Sequence, residues 1–204
     1  MKINEYFDKI YCINLDRRPD RWEQGKSEID KHGLNVERFS AVDGNQNNIK
    51  TENGATNGDV GCTLSHYNVV MDAKVNELEK ILVLEDDVIF TDNLNELFDK
   101  YIKFVPENWD MLYFGGNHVG GIVQINEHVA KVRHTYTTHA YGIRNTVFEH
   151  VKLLHGQGKK QVDVYYADIQ KIFNCYVIRP HLAWQRDGFS DIQNNHTSYP
   201  FLKD

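Results

Sequence analysis

Nowhere in the 204 residues do apolar side chains run for the ~18 positions a membrane-spanning helix needs. The start, MKINEYFDKI, also lacks the apolar core of a secretory signal, which predicts a cytoplasmic chain with no leader. Cysteine is sparse. Cys12, Cys62 and Cys175 are odd in number and far apart, with no CxxC, so neither a disulfide framework nor a zinc site is expected. Reduced, mostly buried thiols follow. Positive charge is short as well: 23 Lys and Arg face 29 Asp and Glu, a net charge of −6 that argues against nucleic acid as the partner. No internal repeat and no linker divides the chain, so one domain over 1–204 is expected.

What is present alternates. Lys9–Leu15 (KIYCINL) has the apolar, β-branched and aromatic pattern of a buried strand. Pro19 suits the first turn of a helix that Asp16 or Asp20 can cap and that Gly33 stops. Val36–Val42 reads as a second strand, closed by Asp43-Gly44, and the Asn- and Gly-rich Asn45–Gly58 as a mobile loop. From Gly61, the apolar residues Leu64, Tyr67, Val70 and Met71 fall at helical spacing. Ile81–Leu84 is a strand, Thr91 or Asp92 caps a helix Leu94–Phe104, and Met111–Phe114 is a strand ending at Gly115-Gly116. Gly120–Ile125 and Ala130–Thr137 read as exposed strands, Asn145–His155 and Tyr165–Phe173 as helices, and Cys175–Ile178 as a late strand. The order predicts an α/β fold, a Rossmann-like, mostly parallel central sheet flanked by helices.

In such sheets ligands gather beyond the carboxyl ends of the strands. NLDRRPDR, AVDG, EDD and FGGN all begin there, which makes Asn14, Arg17, Arg18 and Asp43 candidate ligand contacts. The stretch ILVLEDDVIF sets three acids, Glu85, Asp86 and Asp87, at a buried strand's end. Glu85 and Asp87 project to one side of an extended chain, and two hard oxygens suit Mg²⁺ or Mn²⁺ with water or phosphate completing the shell. A solvated strand end explains the same residues. Arginine binds phosphate through a planar fork. Most of Arg17, Arg18 and Arg21 read better as a charged helix face paired with Asp16, Asp20 and Glu23; Arg17 or Arg18, at the loop, is the better ligand contact. Ser65 and His66, near a helix start, can donate to a sugar or phosphate, or only fix the loop while Cys62 packs. Tyr141 and Trp184 are either sugar-stacking platforms or core.

The series YCINLDRRPDRWE, FSAVDG, GCTLSH, LVLEDDVIF and WDMLYFGG, continued by THAYGIRNTVFEHV, QVDVYY and FSDIQ, resembles glycosyltransferase family 25 over Ile10 to Gln193. The resemblance implies a GT-A fold, a UDP-galactose or UDP-glucose donor, and inversion at the anomeric carbon. Glu85-Asp86-Asp87 then looks like the DxD element, with Asp87 on Mn²⁺ (or Mg²⁺) and Glu85 on the ribose or the metal's water. Inversion needs a base. Asp163 matches the family's Val-Asp position and is the first choice. Asp168 can be a surface charge, and Asp191, with Ser190, can reach the metal or the diphosphate. His196 is a further candidate metal ligand or an exposed bystander, and His139 departs from the apolar or aromatic residue of relatives. The acceptor, a lipooligosaccharide-like glycan or a glycoprotein, is not readable. A catalytically idle module of the same fold, or a Mg²⁺-dependent phosphohydrolase or nucleotidyltransferase, are the competing functions.

Overall fold

The computed structural model describes residues 1–46, 54–155, 160–192 and 195–203. A short helix α1 (Ile3–Tyr6) leads into β1 (Lys9–Asn14), α2 (Pro19–Lys31) and β2 (Glu37–Ser40). Then come α3 (Asn57–Val75), β3 (Lys80–Glu85), β4 (Val88–Phe90), α4 (Leu94–Tyr101) and β5 (Met111–Tyr113). The hairpin β6 (Ile122–Asn126) and β7 (Val129–Val132) precedes β8 (Ala140–Arg144), α5 (Asn145–His155), α6 (Val162–Ile169) and β9 (Cys175–Ile178). Three short strands follow, β10 (Ala183–Gln185), β11 (Gly188–Ser190) and β12 (Asn195–Thr197), and then a 3-10 turn over Pro200–Lys203.

Eight strands form the central sheet in the order β2-β1-β3-β8-β5-β9-β7-β6. β1 is parallel to β2 and β3, and β5 to β9, whereas β8 and β7 run against both of their neighbours. Six strands therefore point one way. The expected α/β GT-A-type fold around a mostly parallel sheet is the one observed. Alternation along each strand feeds two cores: Ile10, Cys12, Leu82 and Leu84 pack with Ile29 of α2 and Leu94 and Phe98 of α4. Tyr11, Ile13, Ile81 and Val83 pack with Val69 and Val70 of α3, Val147 of α5 and Tyr166 of α6 on the other face.

Boundaries differ from the sequence reading where caps decide them. α2 begins at Pro19 after Arg18, not at an acidic cap; Asp20 pairs with Arg18 at 2.8 Å instead. α3 begins four residues earlier than Gly61, because Thr56 and Asp59 form a reciprocal capping box. Gly33, at φ +63°, ends α2 as expected. Asn93, not Thr91 or Asp92, precedes α4. Half of the loop read over Asn45–Gly58, residues 47–53, lies outside the described residues. Among the described residues no helix is long and apolar enough to cross a membrane.

Candidate active site

The acidic turn after β3 is built by three elements. β3 ends at Glu85, Asp86 and Asp87 form a turn, and β4 leaves it to pair antiparallel with β10. α2 lies against the turn so closely that a Cβ on Gly25 would stand 2.6 Å from the Asp86 carbonyl oxygen. One helical turn before Gly25, Arg21 reaches in. Its Nε donates to Asp86 Oδ1 at 2.7 Å, and its Nη2 lies 3.0 Å from Asp87 Oδ2. This is the positive charge that three adjacent carboxylates demand. Arg21 is therefore not part of a charged helix face: it is mostly buried, and its carboxylate partners come from the turn after β3 and not from its own helix.

Each acid has a distinct setting. Asp86 is buried, accepts from Asn14 Nδ2 at 2.6 Å and is held by Arg21, and it still borders the cleft beside Glu85 and Asp87. Asn14 in turn accepts from Arg38 at 2.7 and 3.0 Å and donates to the Arg18 carbonyl, which leaves it a positioning part within the cleft wall. Glu85 accepts from Thr138 Oγ1 at 2.7 Å, and His66 Nε2 stands 3.5 Å away. Burial works to raise its carboxyl, but the His66 imidazole and the Thr138 hydroxyl outweigh it and hold it at about 2. Asp87 goes the other way. Burial first, and then the Glu85 charge, push it up to about 7 despite Arg21. Its Oδ1 is out of solvent and has no hydrogen-bond partner.

That orphaned oxygen is the test of whether a divalent cation suits the turn. A buried carboxylate oxygen without a donor is costly unless a cation supplies the missing charge. Hard oxygen is also the donor Mn²⁺ and Mg²⁺ take. Among the described residues no group of three or more His, Cys, Asp and Glu is arranged to hold a metal alone. The residues thus fit a cation whose shell a phosphate would complete, not a closed protein cage. His196 is not brought to them: it lies exposed on β12, its ring 5.8 Å from that of Phe189.

The acids open into a cleft lined by Asn14, Arg17, Asp43, Ser65, His66, Glu85, Asp87 and Asp191. The structure thus gathers most of the sequence-derived candidates, with Asp163 in an adjoining cleft whose walls share Glu85, Gln185 and Ser190, while Arg18 lines a separate depression beside Arg21 and Arg186. Asp163 Oδ2 accepts from the Thr137 N–H at 3.0 Å, and burial raises its carboxyl. Asp168 lies outside both clefts, 2.6 Å from Lys171.

Other candidates serve the scaffold. Ser65 Oγ accepts from the Val42 N–H at 2.8 Å and donates to the Gly61 carbonyl at 2.7 Å, the loop-fixing alternative. Tyr141 is fully buried and bonds His66 and Tyr166, each at 2.8 Å, so it is no stacking platform. His139 is buried too, its Nε2 3.1 Å from the Ala183 carbonyl oxygen. Trp184 lies under Lys203 and lines neither cleft. Burial raises the Cys62 thiol well above its ordinary value, which disfavours nucleophilic use. The three cysteines are free, and Cys12 and Cys175 are buried. Sequence reasoning missed Thr138 and Gln185, neither of which carries a local signal.

The close approach of α2 makes a prediction. Gly25→Ala is expected to cost ~1–3 kcal/mol, because backbone faces the new methyl and cannot swing away. Thermal denaturation measures it; an unchanged Tm would mean that α2 can withdraw from the acidic turn.

A mostly parallel α/β sheet with acids and arginines converging at its strand ends defines a protein of the GT-A type. The particular family follows from comparison: residues 7–180 match the family model described as glycosyltransferase family 25 (LPS biosynthesis protein), and the chain belongs to that family. The procollagen lysyl hydroxylase and glycosyltransferase of Acanthamoeba polyphaga mimivirus is 31% identical over 93% of this chain and 26% of its own length. Procollagen galactosyltransferase 2 of Homo sapiens is 33% identical over 53% of this chain and 21% of its own length. The chain therefore spans only about a quarter or less of these relatives. Among solved structures, A197 from STIV shares the fold at a TM-score of 0.50, 12% identical over 92% of both chains.

Proposed function

We propose that the chain acts, as one domain, as an inverting hexosyltransferase that moves galactose or glucose from a UDP-sugar to a hydroxyl of a glycan or glycoprotein acceptor. The observation that carries this reading is the pair of adjoining clefts. Glu85 and Asp87 stand in one, Asp163 in the other, with Glu85, Gln185 and Ser190 as shared wall. A donor and an acceptor can thus meet across that wall.

Breaking a sugar–phosphate bond leaves negative charge on the nucleoside diphosphate, and a bound Mn²⁺ or Mg²⁺ supplies the compensating charge without a proton. Asp87, through its unpartnered Oδ1, and Glu85 would hold that ion. Arg17 and Arg18, with Asp43 fixing Arg17 at 2.8 Å, stand at the same strand ends for the phosphates. Asp163 takes the acceptor hydroxyl's proton. The freed oxygen pair then forms the new bond to the anomeric carbon as the bond to phosphate breaks on the opposite side. A base with a raised carboxyl suits this work better than an ordinary one. Asp191 is a poorer base, because arginines engage both of its oxygens.

The human relative's name favours galactose and both relatives' names favour a protein acceptor, while the family description favours a lipopolysaccharide-type glycan. Calorimetry with UDP-galactose and UDP-glucose, with and without Mn²⁺, tests the donor. Metal-dependent binding of one of them is expected. A folded protein that binds neither would end the UDP-hexose reading.

A further inference from the structure

Three guanidinium groups, two of them assigned above to the phosphates, converge on one carboxylate. Arg17 Nη1 lies 2.7 Å from Asp191 Oδ1, Arg18 Nη1 donates to Oδ2, and Arg21 Nη1 stands 3.9 Å from the same Oδ2. The arginines come from the loop after β1 and the first turn of α2. Asp191 arrives from the far end of the chain, directly after β11. Its side chain is only 16% exposed.

None of the three arginines needs Asp191 for charge balance. Arg17 also holds Asp43, Arg18 also holds Asp20, and Arg21 also holds Asp86 and Asp87. A carboxylate and a phosphate present the same paired oxygens to a guanidinium fork. Position adds to the chemistry. Asp191 lines the cleft of Glu85 and Asp87, and Arg21, Asp87 and Ser190 border both that cleft and a second depression containing Arg18 and Arg186.

We propose that Arg17, Arg18 and Arg21 form an anion subsite for a diphosphate, and that the Asp191 carboxylate is its resident occupant, exchanged when the diphosphate enters. The identity of the diphosphate as part of a nucleotide-sugar donor rests on the function proposed above; the exchange itself does not. Its consequence is a reduced apparent affinity. An internal occupant that fills the subsite nine-tenths of the time weakens an entering anion about tenfold.

The test is calorimetric binding of inorganic pyrophosphate, in chelator, to the wild type, Asp191→Asn and Asp191→Ser. Both variants are expected to bind it about tenfold more tightly. Unchanged or weaker binding by a variant with the wild-type circular dichroism spectrum would overturn the exchange, as would no binding by either variant. Weaker binding would instead make Asp191 an organiser of the arginines. Hydrogen exchange on the wild type serves if both variants misfold: pyrophosphate is expected to speed exchange over 188–192, and slower or unchanged exchange there contradicts the proposal. Failure of the wild type to turn over a UDP-hexose sinks the donor reading alone, since pyrophosphate carries neither base nor sugar.

Discussion

Asp163→Asn is expected to lower hexose transfer by ~10²–10⁴, the usual worth of general-base catalysis, while leaving UDP-hexose affinity unchanged. The amide keeps an oxygen for the Thr137 N–H that Asp163 now accepts at 3.0 Å, so the start of α6 is preserved. What it loses is the ability to take a proton. The pH profile carries a second signature. Burial raises the Asp163 carboxyl, so the acid limb of kcat in the wild type should lie above the ordinary carboxylate range. Stability has the opposite sign. With the folded-state value raised, the folded protein binds the proton more readily than the unfolded chain does. Its contribution to stability therefore falls as pH climbs from the ordinary carboxylate value through the raised one. The Asn variant lacks that fall, so its Tm should gain on the wild type as pH rises through this window. Turnover at the wild-type rate would remove Asp163 from the chemistry.

The first half of the chain was legible because its signals are local. Apolar runs bounded by Pro19, Gly33 and Asp43-Gly44 place β1, α2 and β2 within a residue or two, and the rule that ligands gather at strand ends puts Asn14, Arg17, Asp43 and Glu85 in one cleft before any coordinates exist. The second half was less legible because its order is set by pairing across the sequence. β8, AYGIR, sits between β3 and β5 and is held by registers with both, yet its five residues look like the approach to a helix. β10 is equally opaque: three residues gain their strand character from β4, some 90 positions earlier. Arg21 was misjudged for the same reason. Its neighbours along α2 offered acids enough to pair with, and only the close approach permitted by Gly25 reveals that the acidic turn is its partner.

Asp87→Asn is expected to abolish metal-dependent donor binding and at the same time to make the protein more stable. The two effects share a cause. The carboxyl is buried beside the Glu85 and Asp86 charges, it is pushed up to about 7, and one of its oxygens has no donor. Such a group costs stability whenever it is ionised. In the unfolded chain it ionises near the ordinary carboxylate value of about 3.9, so folding stability falls between that pH and 7 and then levels off. An amide carries no charge to bury. Relative to wild type, the variant should thus gain little near pH 4 and most above pH 7, on the order of 5 °C in Tm for a chain of this size. Arg21 keeps Asp86 as a partner, so removing the Asp87 charge leaves no guanidinium stranded. Opposed changes in Mn²⁺-dependent UDP-hexose affinity and in Tm would mark Asp87 as a residue retained for binding at the expense of the fold. Lost binding with a lowered Tm would point instead to a broken turn, and unchanged affinity would take Asp87 out of the metal site, leaving Glu85 to be tested in the same way.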